Sequence, residues 1–151
     1  VADDVPGSKA TADELDAEAA KLSAAVADFT VTPRAMVRAV ALLMDWAADD
    51  AATGAAEPWS RTDMWDLAAR VDAANAARQM LRGAVGDADP ELAERIDDEA
   101  ADAVEALRPY REAAGWASYD QVTEEQRAEL AERFRAFADA LAEVPGTLDL
   151  T

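Results

Sequence analysis

The sequence contains neither cysteine nor histidine. Without cysteine there is no disulfide, no thiolate metal site and no thiol nucleophile, and the redox compartment leaves no trace. Without histidine the commonest metal ligand and the commonest general base are missing as well. Most catalytic constellations are thereby excluded inside this chain, and the expectation is a protein that is not an enzyme. Lysine is nearly as scarce, with Lys9 and Lys21 alone. No apolar run approaches the roughly 20 residues of a membrane span. Val1 to Ala10 has neither the basic start nor the apolar centre of a secretion signal. The chain as given is expected to be soluble, and its start at Val1 reads as a processed or truncated product.

Six Pro and six Gly in 151 residues, with Ala dominating the 51% of apolar residues, favour helix over strand. A chain of this length suits one domain with one core. Charge is the other feature in excess: 32 Asp plus Glu against 14 Lys plus Arg give a formal net charge of −18. Such a surface repels phosphate backbones and anionic lipid, which argues against nucleic acid and bilayer and leaves cations as partners. The scarcity of lysine and the excess of Asp over Glu fit a salt-adapted source or a high-GC genome. Salt adaptation has the edge, because high ionic strength screens the self-repulsion.

Apolar spacing of three and four residues divides the chain into five amphipathic helices. Residues 1–10 read as an extended lead-in, 11–144 as a helical bundle domain and 145–151 as a tail. Thr11 with Glu14 predicts a capping box ahead of the Leu15, Ala19, Leu22, Val26 and Phe29 stripe. Thr32-Pro33 opens the second helix, striped by Met36, Val37, Val40, Leu43, Met44 and Ala47 and fading near Ala52. Ser60 three residues before Asp63 predicts the cap of the third, which runs through Leu67, Val71 and Leu81 and stops at Gly86. Asp89-Pro90 opens the fourth, which carries Leu92, Ile96, Val104 and Leu107 and ends or kinks at Pro109. Thr123 with Gln126 opens the fifth, striped by Leu130, Phe134, Phe137 and Leu141 and closed by Pro145-Gly146. Aromatic residues in the loop from Ala113 to Val122 are expected to plug a bundle end. The fold class that follows is all-α, an antiparallel helical bundle of four to five helices.

One junction carries the chemistry. From Glu57 to Asp72 it reads Glu-Pro-Trp-Ser-Arg-Thr-Asp-Met-Trp-Asp-Leu-Ala-Ala-Arg-Val-Asp. On the plain structural reading Asp63, at the third position of its helix, takes backbone N–H bonds, and Asp66 pairs with Arg70 four residues on. On that reading Trp59 and Trp65 fill the core or cap the bundle end, and Arg61 meets a carboxylate or an anion. On the functional reading Glu57, Asp63 and Asp66 are oxygen donors to one hard cation, Asp63 and Asp66 sharing a helix face at i, i+3. Other acidic runs, such as Asp97-Asp98-Glu99, read as solvated faces.

The segment from Glu57 to Leu67 resembles the Glu-x-Tyr-Ser-His-Thr-Asp-Leu-Trp-Asp-Phe stretch of EfeO-type iron-uptake proteins, within the imelysin-like group. Thr32-Pro33 with Leu42-Leu43-Met44-Asp45, then Asp89-Pro90-Glu91-Leu92, then Gly115 to Thr123, resemble further landmarks of that group in the same order. The resemblance spans about Glu14 to Val144 and covers only the group's later half. It implies a helical bundle of the cell envelope, periplasmic, cell-surface or extracellular, that binds iron or another divalent cation. It also implies partners: the missing N-terminal half, an iron permease or a haem peroxidase. Glu57, Asp63 and Asp66 are then the metal ligands, and Trp59, Arg61, Trp65 and Trp116 the partner or ligand contacts.

The departures are specific. The group's Gly-x-His-x-x-Glu motif is absent, Arg61 stands for its His, Arg70 for an Asn and Ala73 for a Gly. A guanidinium beside a bound cation repels it unless a carboxylate neutralises it. Two rival readings follow: a degenerate paralogue acting as an interaction module for a protein or polysaccharide without metal, and a metallopeptidase fragment lacking its catalytic half.

Overall fold

The computed structural model describes residues 8–27 and 30–150, which divide into one unit over Val1–Thr32 and another over Pro33–Thr151. The first unit contains α1 (Ser8–Ala27). It begins three residues before Thr11, so Thr11 lies inside the helix rather than capping it. Leu15, Leu22 and Val26 recur on the expected stripe. Phe29 lies outside the described residues.

The second unit is an all-α bundle of α2 (Pro33–Thr53), α3 (Asp63–Ala88), α4 (Pro90–Leu107) and α5 (Glu124–Thr147). Each helix packs on two others in a ring: α2 on α3 and α5, α4 on α3 and α5. Ion pairs fix the directions. Asp45 and Asp49 of α2 meet Arg135 of α5 while Arg34 reaches the Leu150 carbonyl beyond its end, and Arg95 meets Glu143 while Asp102 meets Arg133. Both helix pairs are therefore antiparallel.

The caps explain most boundaries. Asp89 accepts from the Leu92 N–H at 3.0 Å with Pro90 at the first helical position, and Thr123 and Gln126 form the reciprocal capping box. Two expected stops are overrun. Gly86 does not end α3, which reaches Ala88, and Pro145 does not end α5, which reaches Thr147. A lone glycine or a missing N–H near a helix end weakens the last turn without ending it when the buried face, here Val85 and Val144, continues to pack. Pro109 falls in a 3-10 turn over Arg108–Tyr110, where its fixed φ suits a tightened end.

In the core, four buried alanines of α2 face the large apolar side chains of α5. Ala41, Ala47, Ala48 and Ala51 are buried opposite Phe134, Phe137 and Leu141, so helix approach is close and the rings fill what remains. Each buried Phe contributes roughly 1.5–3 kcal/mol by leaving water. Val104 turns out exposed rather than buried. Between α4 and α5 a two-residue antiparallel hairpin pairs β1 (Arg111–Glu112) with β2 (Gly115–Trp116). Tyr119 follows it, fully buried, and plugs the bundle end as the loop's aromatic content predicts.

Candidate functional site

The Glu57 junction sits at the end of the bundle where α2 gives way to α3. Its geometry starts at Gly54, whose N–H donates to the Asp50 carbonyl at 2.7 Å with φ +60, a left-handed helix end. A Cβ at Gly54 would lie 2.1 Å from Cε1 of Tyr119, so the position requires glycine twice over, for its dihedral and for the ring beneath it. The Tyr119 hydroxyl donates to the Ala51 carbonyl at 2.7 Å, closing the last turn of α2. Arg127 stacks its guanidinium 4.0 Å from the ring centroid and donates to the Tyr119 carbonyl at 3.1 Å. Burial pushes the Tyr119 phenol above its ordinary pKa, with Arg127 pulling the other way.

The loop then folds onto the start of α3. The Glu57 N–H donates to Oδ1 of Asp63 at 3.1 Å, and the Arg61 N–H to the Glu57 carbonyl at 2.9 Å. The Ser60 hydroxyl donates to Oε2 of Glu57 at 2.9 Å. Arg61 adopts φ 57, uncommon for a residue with a side chain, and is held there from outside the loop. Its carbonyl accepts from the Tyr119 N–H at 3.1 Å, and its guanidinium lies 3.4 Å from Asp120.

These contacts place each candidate residue. Asp63 is completely buried, and its Oδ2 has no hydrogen-bond partner. Glu57 and Asp66 are half-buried. The structure links Glu57 to Asp63 through the loop bond but does not gather the three carboxylates around one point. Among the described residues no group of three or more acidic side chains is arranged to hold a metal ion. Trp59 is 96% exposed, against the reading of a core or end-cap residue. Trp65 is 49% exposed and lies over Gly115, where a Cβ would come within 1.9 Å of its Cζ2. Trp116 is partly buried against the core, with the Arg111 guanidinium 5.1 Å from its ring.

Two local expectations are corrected. The N-cap of α3 is Thr62, without a side-chain cap bond, so Asp63 occupies the first helical position rather than the third, and Ser60 serves Glu57 instead. Arg70 does not pair with Asp66 but crosses to Asp50 of α2, a longer-range contact that frees the Asp66 carboxylate. Sequence spacing missed Asp120 as the counter-ion of Arg61 and Tyr119 as the floor of the loop. The pairing of Gly54 with a distant tyrosine leaves no periodic signal.

Residues 2–144 match the family model described as Imelysin. A relative named "Iron uptake system component EfeO", from Yersinia pseudotuberculosis serotype I, is 31% identical over 144 residues, covering 95% of this chain and 38% of that protein. One named "Iron uptake system component EfeM", from Bacillus subtilis, is 27% identical over 146 residues, covering 96% of this chain and 38% of that protein. An Escherichia coli EfeO is 29% identical over 139 residues, covering 92% and 37%. The chain thus spans a little over a third of the length of these curated relatives. No helix among the described residues is long and apolar enough to cross a membrane.

Proposed function

The chain belongs to the imelysin family, and from that premise we propose that it is a helical-bundle part of an iron-uptake component of the cell envelope, contributing carboxylates to a site for iron. The observation that carries this reading is the unpartnered Oδ2 of Asp63, a buried carboxylate oxygen at the junction that resembles the family's most specific segment. A buried acceptor without a donor costs roughly 1–3 kcal/mol, which a cation or a water would offset. Asp63 already spends Oδ1 on the loop, so Glu57 and Asp66, both half-exposed, are the groups through which an ion would approach. A helix N-terminus repels a cation, so a site here needs further oxygen ligands beyond these three. Asp120 removes one obstacle, because it neutralises the guanidinium that stands where the family has His.

This role requires no catalytic base, in keeping with a chain that has no His or Cys. Implied partners are an iron permease, a haem peroxidase and the remainder of a relative-length protein. A second reading has its own observation. Trp59, almost wholly exposed on a loop tied down by hydrogen bonds, is the kind of rigid aromatic that anchors an interface, so the junction also suits docking of a protein or polysaccharide without metal.

Calorimetric titration of Fe(II), Fe(III), Zn(II) and Ca(II) at high salt, beside Asp63→Asn and Asp66→Asn, separates the two. Iron binding that weakens in both variants supports the first reading. A native chain that gives no binding heat, or variants that bind as well as it does, would overturn metal binding by this junction and leave docking.

A further inference from the structure

The −18 chain holds most of its arginines in ion pairs with carboxylates, as Arg70 with Asp50, Arg78 with Asp97 and Arg135 with Asp49. Arg34 and Arg38 break that pattern. They stand one turn apart on the same face of α2, where like charges repel. Arg34 reaches only a backbone carbonyl, that of Leu150 at 3.0 Å, and Arg38 has no hydrogen-bond or ion-pair partner among the described residues. In a chain with 32 carboxylates, these two arginines are paired with none of them among the described residues.

The two arginines line an open groove of about 560 Å³ between α2 and α5, a size that suits a small ligand. Its apolar lining comes from Ala41, Leu42, Ala138, Ala142 and Pro145. Asp45 and Asp139 also line it, and Asp45 faces Arg135 at 3.9 Å. An apolar lining gives an inorganic anion nothing to rest on, and the two aspartates repel a polyanion. What remains is a compact molecule with an oxyanion at one end and hydrocarbon at the other.

We propose that the α2–α5 groove binds a small organic carboxylate, its carboxylate taken by Arg38 and Arg34 and its hydrocarbon laid over Leu42, Ala138 and Pro145. Guanidinium groups match a carboxylate through paired N–H donors, and the bond is charge-assisted. The site lies at the opposite end of α2 from the junction and stands whether or not the chain binds iron.

The test is a backbone amide NMR titration of the whole chain with hexanoate and separately with inorganic phosphate, at constant ionic strength. Hexanoate should give saturable shifts confined to residues 34–45 and 138–146, and phosphate markedly weaker ones. Arg38→Gln should weaken hexanoate binding roughly tenfold, the loss of one charge-assisted bond, while leaving the helical circular dichroism and melting curve unchanged, because Arg38 is exposed and has no hydrogen-bond or ion-pair partner among the described residues. Arg38→Lys should recover part of it. Absence of saturable shifts in the groove, equal binding by Arg38→Gln, or phosphate binding as tight as hexanoate would each overturn the proposal.

Discussion

Where α2 gives way to α3 and α4 to α5, Tyr119, Trp65 and Trp116 fold over or against the helix ends, and Gly54, Glu57, Ser60 and Arg61 of the connecting loop are hydrogen-bonded. At the other end, α3 passes to α4 through Asp89 alone, and Arg34 and Pro145 border an open groove. The same bundle is thus sealed at one end and open at the other. The sealed end is where the position of a single atom matters, because Gly54, Tyr119, Asp63 and Arg61 hold one another in place. At the other end Arg34, Arg38 and Leu42 are exposed, while Leu148 and Leu150 pack against the core.

One substitution made at both ends would break this comparison most sharply. Gly54→Ala places a methyl 2.1 Å from the Tyr119 ring and in a left-handed dihedral, and the ring is fully buried with its hydroxyl bonded to Ala51. The expected loss is about 3 kcal/mol, read as a shift of the urea midpoint. Gly83→Ala in α3, where nothing stands within 4 Å, should instead stabilise by about 0.5–1 kcal/mol through helix propensity. Equal effects at the two sites would show that the sealed end is no more tightly determined than the rest.

Gly115→Ala sharpens the point. Its methyl would meet Trp65 at 1.9 Å, closer than the clash at Gly54, yet Trp65 is half exposed and free to swing outward. The expected cost is about 1–2 kcal/mol, smaller despite the shorter distance, with a red-shifted Trp fluorescence as the ring moves into water. A cost as large as that of Gly54→Ala would mean that Trp65 is as immovable as Tyr119.

These sites also show what a sequence can disclose. The helices were legible because apolar spacing and caps are local: Asp89-Pro90 and Thr123 with Gln126 act within one turn, and both appear as expected. The sealing of the bundle end was legible only as composition, aromatic residues in a loop, without naming which one is buried. The candidate site was legible as a segment but not as an arrangement. Its partners, Asp120 for Arg61 and Asp50 for Arg70, lie far away in sequence, and no periodicity links them.

Towards the open end the α3–α4 seam is held by a polar latch rather than a ring. Burial alone would raise the Asp97 pKa, but hydrogen bonds from Arg82 and Arg78, with their positive charges, outweigh it and hold the carboxyl below its ordinary range. Because the folded pKa lies below the unfolded value of about 3.9, the latch contributes fully above that pH and is lost as the pH falls through the lowered folded value. Asp97→Asn should therefore cost about 1 kcal/mol near neutral pH and progressively less below about pH 4, where the native carboxyl also becomes neutral. Urea midpoints of the two proteins measured from pH 7 down to pH 2 check this, and a gap that stays constant across the range would remove the latch from the account.

The smallest expected effect lies on the sealed end itself, and it tests whether rigidity there serves folding or contact. Trp59 belongs to a loop held by several hydrogen bonds yet contributes almost no buried surface, being 96% exposed. Trp59→Ala should change stability by no more than about 0.5 kcal/mol, because the hydrogen bonds that hold the loop run through Glu57, Ser60, Arg61 and Asp63 and never through the indole. A large indole kept in water on a fixed loop is unfavourable for solubility and neutral for stability, so a stability-neutral result leaves recognition as the reason to present it. A loss comparable with that of Gly115→Ala would instead make Trp59 part of the seal, and the division between the two ends would then rest on packing alone.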